Sequence, residues 1–351
     1  MTERQRYAAH ELKDFAEQVL ARAGMQKELA ATVADVLVEG DLLGHTTHGL
    51  ALLAPYVAEV EKGQMAREGE PEVLSDKGAA VLWDGRRLPG PWLVCRAIDD
   101  LLPRARQFGS ATLVIRRSHH IACLASYLLK AVQQDMLAVL ASSDPGGRSV
   151  APFGGTRAVF TPNPIAAGIP ATSPLLIDIS ASITTNGMSA RLAQQGRLFD
   201  EEWLIDAEGR PTRDPAVLSA SPPGTILPVG GLSAGHKGYG LGLLVEALTG
   251  GLAGYGRADD ADGWGATVYL TLHDTLAFSG KDAFRRQMDC LAEQCRTNPP
   301  RPGVSAVRLP GDRALALRAQ QLQEGVQLEA VIVPALRKLA DASGVPLPAG
   351  R

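Results

Sequence analysis

Near the N-terminus, apolar residues recur with a helical period. Leu12, Phe15, Val19 and Leu20 share one face, and Gly24 supplies a stop. Ala30, Val33, Leu37 and Val38 mark a second helix that runs toward Gly44. Leu53, Tyr56, Val57 and Val60 mark a third, which ends near Gly63. Beyond it the pattern shortens. Val73-Leu74 and Ala80-Val81-Leu82-Trp83, followed by Asp84-Gly85, predict strands and turns over residues 64–90. A helix from Pro91 to Gln107 follows, then a buried strand at Thr112–Ile115. A helix over His119–Gln133, capped by Ser118, and a strand at Leu137–Leu140 come next. That alternation predicts α/β content.

Residues 144–187 are rich in proline and glycine, with short apolar runs at Pro164–Ile169 and Leu175–Ile179 that predict strands among functional loops. Residues 190–225 are polar and predict a surface excursion. Gly238 begins a helix with Leu241, Leu244, Val245 and Leu248 inward. A strand at Val268–Leu272, a helix at Phe284–Cys295, a loop at Pro299–Val304 and helical segments complete the chain.

A length of 351 residues predicts two compact units or one large one, and 45% apolar residues supply a sizeable core. The net charge of -3 and pI of 6.2 argue against a general nucleic-acid or membrane-surface binder, which needs a basic excess. No uninterrupted apolar stretch reaches the ~20 residues that span a bilayer. The charged, helical N-terminus has no apolar signal core. Four cysteines without a CxxC pair predict reduced thiols in a cytoplasmic protein.

The chemistry concentrates in Gly44-His45-Thr46-Thr47-His48-Gly49. Imidazole moves protons near neutral pH, a neighbouring threonine can orient it, and glycines let ligand and backbone approach closely. His48 is the leading acid/base candidate, and His45 a structural or supporting neighbour. His119-His120, at a predicted helix start, offers an imidazole kept neutral by the helix dipole. Gly235-His236-Lys237-Gly238-Tyr239-Gly240 opens a helix with a lysine and free amides suited to phosphate. Arg308-Leu309-Pro310-Gly311-Asp312 is a turn beside a guanidinium. No GxGxxG follows a strand, so a Rossmann reading has no support. Zinc on His45, His48, His120 and His236 lacks ligand spacing, and no resident metal is expected.

Together these motifs resemble the malate/L-lactate dehydrogenase family, which is distinct from the Rossmann-fold lactate and malate dehydrogenases. The resemblance runs from Asp41–Gly49 through Ala151–Gly155 and Asn163–Ala166 to Gly235–Leu241, Arg301–Gly303 and Arg308–Asp312. It implies an α/β (α+β) fold with a largely antiparallel, non-Rossmann nucleotide-binding sheet. The expected division is a helical domain from both termini (1–75 with 305–351) and an NAD(P)-binding and substrate domain (76–304). It also implies a cytoplasmic homodimer using NAD or NADP on a 2-hydroxy acid and its 2-oxo acid, or on a cyclic imine. Thr47 and His48 match the family's Ser-His pair, and His120 a second acid/base or substrate-contacting group. Ser143, Asp178, Ile179, Ser180, Lys237, Gly238, Pro310, Gly311 and Asp312 match nucleotide contacts.

One departure stands out. The family arginine that grips the substrate carboxylate is Leu52 here. Either Arg148 or Arg116 reaches the pocket instead, or the substrate is less acidic or more apolar than the family norm. A dinucleotide-binding protein that has lost turnover is the rival reading.

Overall fold

The structure, a computed structural model, describes residues 5–350. Its centre is a seven-stranded sheet. The strands are β1 (Glu72–Asp76), β2 (Ala80–Asp84), β3 (Ser110–Ser118), β4 (Met136–Ser143), β5 (Pro164–Ile169), β6 (Leu175–Ser180) and β7 (Ala266–Asp274). Their order is β1-β2-β3-β7-β4-β5-β6. Only β2 and β3 run parallel, joined by the Gly90–Phe108 helix that such a crossover requires. The other neighbouring pairs are antiparallel, so the sheet is non-Rossmann and largely antiparallel, as expected.

The period-2 and period-3.6 patterns converge on one core. Leu113 and Ile115 of β3, and Val268, Leu270 and Leu272 of β7, bury one edge of alternating positions. The Gly90–Phe108 helix covers them with Leu93, Ala97, Ile98 and Leu101. The same cluster continues into the N-terminal helices Ala9–Arg22, Lys27–Leu42 and Leu53–Glu61, and into Val326, Ile332 and Leu336. The two ends of the chain are tied together by backbone pairing of Arg6–Tyr7 with Val326–Gln327.

Two local expectations change. Residues 190–225 are more than a surface excursion: Phe199 and Leu204 bury a small core with Val150, Phe160 and Ile226. Residues 119–124 are not helical. Ser118 ends β3 and donates to the His119 carbonyl at 2.7 Å, Ala122 adopts φ 55°, and the helix starts only at Ala125. Burial of Ile121 and Ala122, set by tertiary packing, overrides the helical pattern there. No described helix is long and apolar enough to cross a membrane.

Candidate active site

The Lys27–Leu42 helix ends in a tight turn that carries the histidine motif. Gly44 takes φ +86°, and the His45 N–H donates to Gly40 O at 2.8 Å. Beneath the turn lies the buried Asp41 carboxylate, which accepts the Leu50 N–H at 2.7 Å. A Cβ on residue 49 would sit 2.4 Å from that carboxylate, which explains the glycine. Burial pushes the Asp41 carboxyl up to about 7, against the opposing pull of the Leu50 amide and the Arg191 charge. Arg191, on the Asn186–Gln194 helix, clamps the turn from above by donating to both Thr46 Oγ1 and Thr46 O at 2.8 Å. Within this frame Thr47 Oγ1 lies 2.8 Å from His48 Nδ1, so the hydroxyl orients the ring. Burial lowers the His48 pKa; the Asp178 charge opposes it, and His45 and Arg191 add to it.

His120 faces His48 with ring centroids 5.9 Å apart. Its Nδ1 receives the Ala122 N–H at 3.3 Å and lies 2.9 Å from the Tyr56 hydroxyl, and its ring stacks on Trp264 at 4.5 Å. A nitrogen that accepts an N–H carries no proton, so the neutral ring carries its own on Nε2. Burial first, then the neighbouring His48 and His119, holds its pKa well below the ordinary value. What favours a neutral ring at this residue is burial rather than the helix dipole expected from the sequence, since the helix starts only at Ala125. His119 points the other way. It is fully buried against Tyr56 and Trp264, lies 3.5 Å from Glu59, and is lowered to about 4 by burial against that partner's pull.

His45, Thr47, His48, Leu52, His120, Asp178, Ser180 and Trp264 all line one cavity of about 460 Å³. Among the described residues, no lysine or arginine lines it. Thus the structure brings together Thr47, His48 and His120 with Asp178 and Ser180. Alternation along β6 explains the last two: positions 176, 178 and 180 share a face, whereas Ile179 faces outward and is half exposed. The Pro310-Gly311-Asp312 turn meets the start of that same face, where Pro310 O accepts the Leu176 N–H at 3.1 Å. Gly311, at φ +96°, passes so close that a Cβ would lie 2.8 Å from Leu176 N. Asp312 is engaged by Arg296 at 2.7 Å.

The remaining candidates stand apart from the cavity. Ser143 donates to Glu246 at 2.8 Å inside a network with Asn163 and Arg257. Lys237 is exposed on the first turn of the His236–Glu246 helix, and the Gly238 N–H is already spent on Val229 O at 3.1 Å. His236 packs edge-on against Phe153, away from the other histidines. Arg116 is held by the buried Asp84 at 2.9 Å, and Arg148 lines a separate cavity beneath the 215–225 segment. Tyr56, Trp264 and Arg191 are site residues that sequence reasoning missed. Tyr56 reads as a core position of its helix, and the other two carry no local motif.

A family model described as malate/L-lactate dehydrogenase matches residues 7–337. An L-lactate dehydrogenase from Cupriavidus necator is 30% identical over 345 residues, covering 96% of this chain and 97% of the relative. Malate dehydrogenase from Entamoeba histolytica has the same fold, with a TM-score of 0.93 at 23% identity, covering 98% of this chain and 99% of that one. A Δ1-piperideine-2-carboxylate reductase from Pseudomonas syringae superposes with a TM-score of 0.83 at 26% identity, covering 96% and 100%. The chain belongs to the malate/L-lactate dehydrogenase family.

Proposed function

We propose that this oxidoreductase interconverts a 2-hydroxy acid and its 2-oxo acid with NAD or NADP, as a cytoplasmic homodimer. The observation that carries this reading is the facing pair His48 and His120 on one cavity, with Thr47 set on the His48 ring. The residues fit a nicotinamide dinucleotide. Asp178 and Ser180 offer a carboxylate and a hydroxyl along one strand face, which suits ribose hydroxyls. The Pro310–Asp312 turn extends that face, and the exposed Lys237 offers a cation for phosphate.

The bound nicotinamide would supply or accept the hydride. His48 donates a proton to the substrate oxygen as negative charge develops on it, and recovers that proton in the oxidation direction. Thr47 holds the His48 ring in place. His120, neutral with its proton on Nε2, offers a hydrogen bond to the same oxygen without adding a charge. Tyr56 and Trp264 fix the plane of that ring.

A second reading is favoured by Leu52 and by a cavity lining without lysine or arginine among the described residues. It takes a substrate of lower acidity or greater apolarity, or a cyclic imine. Initial rates for a panel of 2-oxo acids and cyclic imines with NADH and NADPH separate the two. Fastest turnover of small 2-oxo acids supports the first reading, and fastest turnover of imines or apolar carbonyl compounds the second. Tight binding of reduced cofactor with no turnover across the panel would sink both.

A further inference from the structure

Three metal-binding side chains meet at the edge of the catalytic cavity, and no step above uses them as a group. His45 comes from the turn after the Lys27–Leu42 helix, Cys123 from the irregular segment before the Ala125–Val132 helix, and Asp178 from β6. One imidazole nitrogen, the thiol sulfur and one carboxylate oxygen lie within 4.8 Å of one another. The Cys123 Sγ is 3.7 Å from Asp178 Oδ2, and the Ala125 N–H fixes that oxygen at 2.9 Å. We propose that His45, Cys123 and Asp178 form a binding site for Zn²⁺.

The donor set selects the ion. A thiolate, an imidazole and a carboxylate suit borderline-soft zinc, whereas magnesium and calcium take oxygen ligands. Tetrahedral zinc, with ligand bonds of about 2.0–2.3 Å, needs donor atoms roughly 3.3–3.8 Å apart. The Cys123–Asp178 separation meets that already, and the His45 nitrogen, within 4.8 Å of both, has about 1 Å to close on binding. Burial, reinforced by the Asp178 charge, keeps the Cys123 thiol protonated without a metal. Zinc takes the place of that proton, which leaves to solvent. All three ligands line the cavity, so the fourth position opens into it. The functional consequence rests on the proposed role of Asp178: a carboxylate on zinc is lost to the ribose, so zinc inhibits reversibly and in competition with the dinucleotide.

Competition against a chromophoric zinc chelator tests binding without reference to turnover. The full-length protein should hold one Zn²⁺ per chain. His45→Gln, at a half-exposed position, and Cys123→Ser should each lose it, whereas Cys290→Ser, at an exposed cysteine outside the site, should keep it. No uptake by the wild type, retention by both site variants, or loss only in Cys290→Ser would overturn the site. In a reductase assay, zinc should inhibit the wild type and EDTA restore it. Cys123→Ser should resist zinc, read as the ratio of its own rates with and without the metal. One zinc bound per chain with no relief by added dinucleotide supports the metal site and removes Asp178 from the cofactor contacts.

Discussion

Two polar regions of this molecule show how differently the same kinds of groups can be used. At Asp84 a fully buried carboxylate receives Arg116 Nε at 2.9 Å, Arg117 Nη2 at 2.7 Å and the Arg86 amide at 2.9 Å. Burial alone would raise its pKa, but Arg117, the Arg86 amide and Arg116 outweigh it and leave it below the usual carboxylate range. In the cavity, burial lowers the pKa of both His48 and His120, and each has hydrogen-bond partners on Nδ1. Their Nε2 atoms retain the capacity to bond a ligand. The Asp84 carboxylate is fully engaged by its own neighbours, whereas the cavity imidazoles each keep a nitrogen for a ligand. The place to look for chemistry in this fold is therefore where polar groups are incompletely paired, not where charge is densest.

The largest expected effect is on the cavity side. His48→Ala should lower the rate of reduction by about 10²–10⁴-fold, the usual contribution of a positioned acid or base. The reaction should also lose its pH signature. The acid form of His48 donates in reduction, so wild-type reduction should decline as pH rises through a value below 6.5, while oxidation should gain over the same interval. Near wild-type rates in His48→Ala, with the pH profile unchanged, would show that the proton comes from elsewhere.

A stability loss without a substrate effect is expected at the other region. Asp84→Ala strands two guanidiniums. Removing one partner of a buried pair costs about 3–5 kcal/mol, and less here because Arg116 and Arg117 are partly exposed. The melting temperature should fall, while KM for any accepted substrate stays constant. The opposite result would erase the distinction between the regions. If Arg116→Met leaves stability alone and raises KM for 2-oxo acids, Arg116 is a carboxylate ligand after all.

The contrast also explains what could be read from the sequence. Strands such as Pro164–Ile169 were legible because a short apolar run between turn residues has few other uses, and the N-terminal helices because their stripes are long. Thr47 and His48 were legible because they adjoin each other in the chain. The Tyr56–His120 bond spans 64 positions and the Arg191–Thr46 clamp 145, so neither leaves a local signal. The arginines offered as replacements at Leu52 illustrate the converse. Their charge is visible in the sequence, whereas the Asp84 that occupies Arg116 is visible only in the fold.

Asp41 lies between the two regimes and gives the smallest, sharpest test. It is buried like Asp84, yet one carboxylate oxygen has no partner. Its folded pKa of about 7 lies above the ordinary unfolded value of about 3.9, so the folded state holds a proton that the unfolded state has released. Its contribution to stability is full below pH ~4 and is lost as pH rises through about 7. Asp41→Asn keeps an oxygen for the Leu50 N–H and removes the titration. The variant should therefore flatten the decline of melting temperature across that interval and exceed the wild type above it. Melting curves that run parallel from acid to neutral pH would mean that Arg191 and the Leu50 amide already hold Asp41 ionised, as their counterparts hold Asp84. The turn carrying His48 would then rest on a satisfied ion pair rather than on a buried proton.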